Sequence, residues 1–76
     1  MSRLCDLKEG ETAQVLTISP GCELRRRLMD IGLIPGSLVE CIGRSPAGDP
    51  TAYLIKGAVI AIRARDAVNV EVAPWS

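Results

Sequence analysis

The segment Ser45-Pro46-Ala47-Gly48-Asp49-Pro50 constrains the fold most, because it is dense in turn formers and both of its prolines lack a backbone donor. No β-ladder can run through it. Upstream, Pro35-Gly36 matches the two central positions of a type II turn, with the glycine taking the positive φ. The chain is therefore divided into short elements. At 76 residues it has room for one compact unit, residues 1–76, with one small core. An enzyme with separate binding and catalytic lobes is excluded.

Between these breaks the periodicity reads mainly as strands. Ala13-Gln14-Val15-Leu16-Thr17-Ile18 is rich in β-branched and aliphatic residues, with Leu4 and Leu7 expected beneath it. Ser37 to Arg44 alternates Val39/Cys41 with Glu40/Arg44. Thr51–Ile55 and Val59–Arg63 form a hairpin about Lys56-Gly57-Ala58, with Tyr53/Ile55 and Ile60/Ile62 as inward pairs. Ala64 to Ala67 has room for one tight helical turn, and Val68, Val70 and Val72 alternate with Asn69 and Glu71. One longer helix is predicted, with Ser19 as its cap, Pro20 in its first turn, Leu24, Leu28 and Ile31 as its buried stripe over about three turns, and Gly32 as its stop. Five short strands and one helix predict a small closed barrel, because an open sheet of this size leaves its edges unpaired.

Composition removes several classes of function. The 47% hydrophobic content against 24% charged indicates a globular chain. Nine basic residues balance nine acidic ones, so no net field draws the chain to nucleic acid or acidic lipid. Tyr53 and Trp75 are the only aromatics, too few for an RNA-stacking surface, and Trp75 reads either as a frayed tail or as a plug on one barrel mouth. There is no histidine, which removes the commonest general base and the commonest metal ligand. The acids are scattered among solvent-facing positions, and Asp49 and Asp66 are expected to anchor turns. No catalytic residue is assigned.

Cys5, Cys22 and Cys41 lie 17 and 19 residues apart and are odd in number, which fits neither a zinc ribbon nor a disulfide framework. A reducing, cytosolic setting is expected, since the charged start breaks any signal-peptide apolar region and no apolar run approaches membrane-spanning length. Cys41 is expected in the core, whereas Cys5 and Cys22 are expected to be exposed, as weak candidate ligands for a divalent metal such as Fe2+. No intrinsic cofactor is expected.

On a helical wheel Cys22, Arg25, Arg26 and Met29 gather opposite the apolar stripe, forming a candidate patch for a protein partner. The bland alternative is a solvated face with Glu23–Arg27 and Arg26–Asp30 as exposed pairs. Gly32-Leu33-Ile34-Pro35-Gly36 leaves a helix rather than entering one and lacks a Lys-Ser/Thr pair, so it is a structural turn and not a phosphate cradle. Leu33 and Ile34, flanking that rigid turn, are expected to add an apolar contact.

The run Ile18-Ser19-Pro20, Leu24 and Arg27-Leu28-Met29-Asp30-Ile31-Gly32-Leu33-Ile34-Pro35-Gly36, followed by Gly48-Asp49-Pro50 and by Arg63, Asp66-Ala67, Val70 and Val72, resembles the FeoA family of ferrous-iron transport proteins. The resemblance implies an SH3-like barrel in which Leu28, Gly32, Pro35, Gly36, Gly48, Asp49 and Pro50 form the shared motif. It implies a cytosolic accessory to a FeoB-type membrane GTPase-permease, acting by contact with the permease's GTPase region. Such a protein reaches the membrane only through its partner, and weak self-association through sheet edges is compatible with it. The triple arginine Arg25-Arg26-Arg27 and the three cysteines map onto no functional position of that family. The same barrel is appended to metal-dependent repressors, so a metal-responsive interaction module is the alternative. The chain lacks the second helix that a helix-turn-helix needs to act alone on DNA.

Overall fold

Strands form where inward aliphatics recur every second residue, and the breaks fall at the glycines and prolines. The computed structural model describes residues 2–75. In chain order the elements are β1 (Ser2–Arg3), a 3-10 turn (Leu4–Asp6), β2 (Thr12–Ile18), α1 (Arg25–Asp30), β3 (Leu38–Arg44), β4 (Thr51–Ile55), β5 (Ala58–Ile62), α2 (Ala64–Ala67) and β6 (Val70–Pro74). All neighbouring strands pair antiparallel, in the order β1-β6-β2-β3-β4-β5.

The sheet is coiled. A flat single layer would be about 10 Å thick, yet the shortest extent of the molecule is 23 Å against a longest of 30 Å. Two bulges drive the coiling. Val15 pairs with Val72 and Thr17 with Glu71, leaving Leu16 over; Cys41 pairs with Tyr53 and Gly43 with Ala52, leaving Ile42 over. An extra residue on one strand bends it and increases its twist.

The hairpin from β4 to β5 is tight. Lys56 (φ 49°) and Gly57 (φ 82°) occupy its two central positions, and Ile55 pairs with Ala58. Positive φ at both positions is the type I′ arrangement, whose twist matches that of the flanking strands.

Inside the coil, Leu4, Ala13, Val15, Val39, Cys41, Tyr53, Ile55, Val70 and Val72 are essentially inaccessible. Each large side chain so placed stabilises the fold by about 1.5–3 kcal/mol. Tyr53 Oη is inside too, and it donates a hydrogen bond to the Leu4 carbonyl at 3.3 Å. Burial pushes the Tyr53 phenol up to about 12.

Three sequence expectations change. There are six strands, because Ser2–Arg3 pairs with Glu71 and Val72; two residues are too few to show a period. The sheet is not closed by hydrogen bonds, since β1 and β5 remain as edges. The helix is shorter than expected, six residues beginning at Arg25. Ser19 does not cap it, because the position before the helix is Leu24, which makes no side-chain cap bond; Ser19 N–H instead donates to the Asn69 carbonyl (2.8 Å), continuing the β2–β6 contact, while its carbonyl accepts from Cys22 N–H (3.0 Å). A second turn, Arg25 N–H to the Cys22 carbonyl at 3.1 Å, carries the chain into α1.

Candidate functional site

The run from Leu28 to Gly36 is a device for ending α1 and reversing the chain. Gly32 has φ 111°, Leu33 N–H donates to the Leu28 carbonyl (3.0 Å), and Gly32 N–H donates to the Met29 carbonyl (3.0 Å). This pair of bonds is the Schellman motif. A Cβ on Gly32 would lie 3.0 Å from Ile55 Cγ2, so absence of a side chain there also lets the helix end approach the β4–β5 hairpin. Four residues on, Gly36 (φ 92°) follows Pro35, and Ser37 N–H donates to the Ile34 carbonyl at 3.0 Å. The type II turn is therefore present, and Ser37 Oγ adds a bond to the same carbonyl at 2.7 Å.

This geometry corrects the expectation for Leu33. In a Schellman motif the residue after the glycine folds back on the last helical turn, and Leu33 is 0% exposed, in the same core as Leu28. Ile34 points out, at 36%. Arg25, Arg26 and Arg27 are exposed, but Cys22 and Met29 are half-buried and packed against the core. Cys22 precedes the helix, so the wheel that grouped it with Arg25, Arg26 and Met29 does not apply to it. The structure leaves Arg25, Arg26 and Ile34 on the outside. Glu23–Arg27 and Arg26–Asp30 are not ion pairs; among the described residues the one salt bridge is Asp49–Arg63, at 3.8 Å.

The Gly48-Asp49-Pro50 part of the motif serves α2. Gly48 N–H donates to the Ser45 carbonyl (2.8 Å), and Asp49 Oδ1 accepts the N–H of Ala64, the first residue of α2, at 2.8 Å. A loop carboxylate thus satisfies a helix N–H that the helix itself leaves free. Asp66 makes no such side-chain bond among the described residues; its backbone carbonyl accepts Asn69 N–H instead.

Sequence reading missed a groove between α1 and β5. It encloses about 350 Å³, with Leu24, Leu28 and Ile31 on one wall, Ile60 to Ile62 on the other, and Arg27, Arg63 and Arg65 around the rim. A shallower depression lined by Cys22, Glu23 and Asn69 joins it through Leu24, Arg65 and Asp66. The signal was present as Arg63-Ala64-Arg65 directly after an aliphatic strand. Nothing local in the sequence places that pair opposite Arg27.

The three thiols have different surroundings. Cys41 is buried, as expected, whereas Cys5 is half-buried rather than exposed, its Sγ lying 4.0 Å from Asp6 Oδ1 and its carbonyl accepting from Arg44 at 3.2 Å. Burial raises the Cys5 thiol above its ordinary value and the Asp6 carboxylate raises it further; burial likewise raises Cys41. Among the described residues no three Cys, Asp or Glu side chains come together as a metal site. Nor is any helix there long and apolar enough to cross a membrane.

The FeoA domain model matches residues 2–74. A FeoA protein from Chlorobium tepidum superposes with a TM-score of 0.90 at 31% identity, over 99% of this chain and 71% of that one. A FeoA-like protein from Clostridium acetobutylicum gives 0.88 at 27%, over 97% and 90%. The zinc complex of Stenotrophomonas maltophilia FeoA, described as an SH3 domain protein, gives 0.84 at 23% over 96% and 91%, a likeness of fold. A curated fusion of Fe(2+) transport protein A with the Fe(2+) transporter FeoB, from Porphyromonas gingivalis, is 27% identical over 92% of this chain, which spans 8% of that protein's length. With the FeoA domain model spanning residues 2–74 and the fold superposing on FeoA structures, the chain belongs to the FeoA family of ferrous iron transport.

Proposed function

We propose that this chain acts by protein contact on a FeoB-type membrane GTPase-permease, binding its cytosolic GTPase region and modulating ferrous iron uptake. One observation carries the reading: in the Porphyromonas gingivalis protein, a stretch similar to this chain shares a single polypeptide with an FeoB transporter. Fusion holds two modules at high effective concentration, which benefits modules that touch. The absence of histidine supports contact rather than chemistry as the mode of action.

The mechanism is differential affinity. By binding one conformation of the GTPase region more tightly than another, the chain shifts the balance between them, and the shift is limited by the difference in the two affinities. Arg25, Arg26 and Ile34 form the outward surface offered to the partner, while Cys22 and Met29 are half-buried and packed against the core. In this role the chain works in the cytosol.

Titration of the purified GTPase region with this chain, followed by GTP hydrolysis, tests the reading. Saturable binding and a changed hydrolysis rate are expected. No binding and equal rates with and without the chain would overturn it.

A further inference from the structure

The groove between α1 and β5 has an open strand for one wall. β5 is the last strand of the sheet, paired on one side with β4 alone. Among the described residues, no backbone bond outside the ladder involves Ala58 to Ile62. In an antiparallel pair alternate residues direct their N–H and C=O away from the partner strand, so this edge presents unused donors and acceptors. No proline interrupts it and no charged residue lies within it, although both are usual means of blocking such an edge.

The second observation is charge. The groove carries Arg27, Arg63 and Arg65 against one acid, Asp66. Arg63 is within reach of Asp49, but the side chains of Arg27 and Arg65 have no hydrogen-bond or ion-pair partner among the described residues. Two unpaired guanidiniums beside an aliphatic floor and a free strand edge complement one kind of ligand, an extended segment that alternates acidic with aliphatic side chains.

We propose that this groove receives such a segment from a protein partner as a seventh strand beside β5. Its main chain pairs with the free edge of Ala58–Ile62. Its aliphatic side chains settle against Leu28, Ile31 and Ile60, and its carboxylates meet Arg27 and Arg65. The inference rests on the reading that the chain works through a protein partner, and it names a different face from Arg25, Arg26 and Ile34.

The test uses the whole chain, isotopically labelled, titrated with a capped heptapeptide alternating Asp or Glu with Leu, Val or Ile. Saturable shifts at Leu24–Ile31 and Ala58–Asp66 are expected, with slowed hydrogen exchange of alternate β5 amides. Replacing the acids of the peptide by lysine abolishes binding, and the double variant Arg27→Glu, Arg65→Glu weakens it by at least about tenfold, roughly 1.4 kcal/mol. Both arginines are exposed, so retained chemical-shift dispersion in the variant verifies its fold. Absence of saturable binding, shifts centred elsewhere, or binding without protection of any β5 amide overturns the proposal. A GTPase region that binds the double variant as tightly as the native chain also overturns it, while leaving the partner reading intact.

Discussion

The two edges of the sheet are built to opposite ends. β1 is two residues long and is fastened from both sides: Arg3 N–H donates to Asp6 Oδ2 (3.0 Å), and the Arg3 guanidinium donates to the Val68 carbonyl (2.7 Å). β5 is five residues long, holds no charge, and exposes Val59 at 64%. A short, charged, tied edge offers little template to another chain, whereas a long uncharged one offers a full row of backbone groups. The contrast teaches that the fold can close an edge with local chemistry, and does so on one side alone.

The largest effect is expected where α1 is seated against the β5 side. Gly32→Ala forces a Cβ to 3.0 Å from Ile55 Cγ2 at φ 111°, and should cost about 2–4 kcal/mol in denaturant unfolding. Gly36→Ala has open space at φ 92° and should cost about 1–2 kcal/mol, the conformational part alone. Equal losses at the two glycines would mean that helix seating does not depend on the close approach.

On the β1 side Tyr53 adds a buried tether, to the Leu4 carbonyl. Its folded value, about 12, exceeds the ordinary 10.0 of tyrosine, so the folded state holds the phenolic proton more tightly. That contribution is complete below pH 10 and is lost as pH rises through 12, at about 1.4 kcal/mol for each unit by which the folded value exceeds the unfolded one. Cys5 and Cys41, raised from 9.0, begin the same decline earlier. Equilibrium unfolding from pH 8 to 12 should show the fall, and Tyr53→Phe should flatten its upper part.

Asp49→Ala removes the carboxylate that holds the start of α2, next to the end of β5. A loss of about 1 kcal/mol is expected from thermal unfolding. Smallest of all, Arg25→Glu with Arg26→Glu should change stability by less than about 0.5 kcal/mol, because both side chains are solvated. The same pair should weaken binding to the GTPase region if the outward face of α1 is used there.

Strand identity was legible because it depends on alternation, a local property. Thr51–Ile55 appears as read, and β5 and β6 differ from the reading by one or two residues at their ends. The motif glycines were legible for the same reason. Ser19-Pro20 misled because Ser19 stays with the sheet, its N–H donating to the Asn69 carbonyl, and the chain then passes through a turn closed by Cys22 N–H before α1 begins at Arg25. Leu33 was misplaced although a signal existed, since a hydrophobic residue after the terminating glycine normally packs on the helix it follows. Trp75 N–H donates to the Thr12 carbonyl at 3.1 Å, which ties the backbone there to β2, while about half of the residue is exposed. The groove was not legible, because its walls come from distant stretches of the chain, Leu24 to Ile31 and Ile60 to Asp66, and meet only through the coil of the sheet.

The supernumerary residues Leu16 and Ile42 mark where the chain tolerates changes of length. Deleting either leaves every flanking pair in place, Val15 with Val72 and Thr17 with Glu71, or Cys41 with Tyr53 and Gly43 with Ala52. The inward sequence of side chains would survive, and only curvature would be lost. Single-residue gaps between this chain and its relatives should therefore gather at those two addresses, and a relative lacking both would be a flatter molecule with its two free margins further apart.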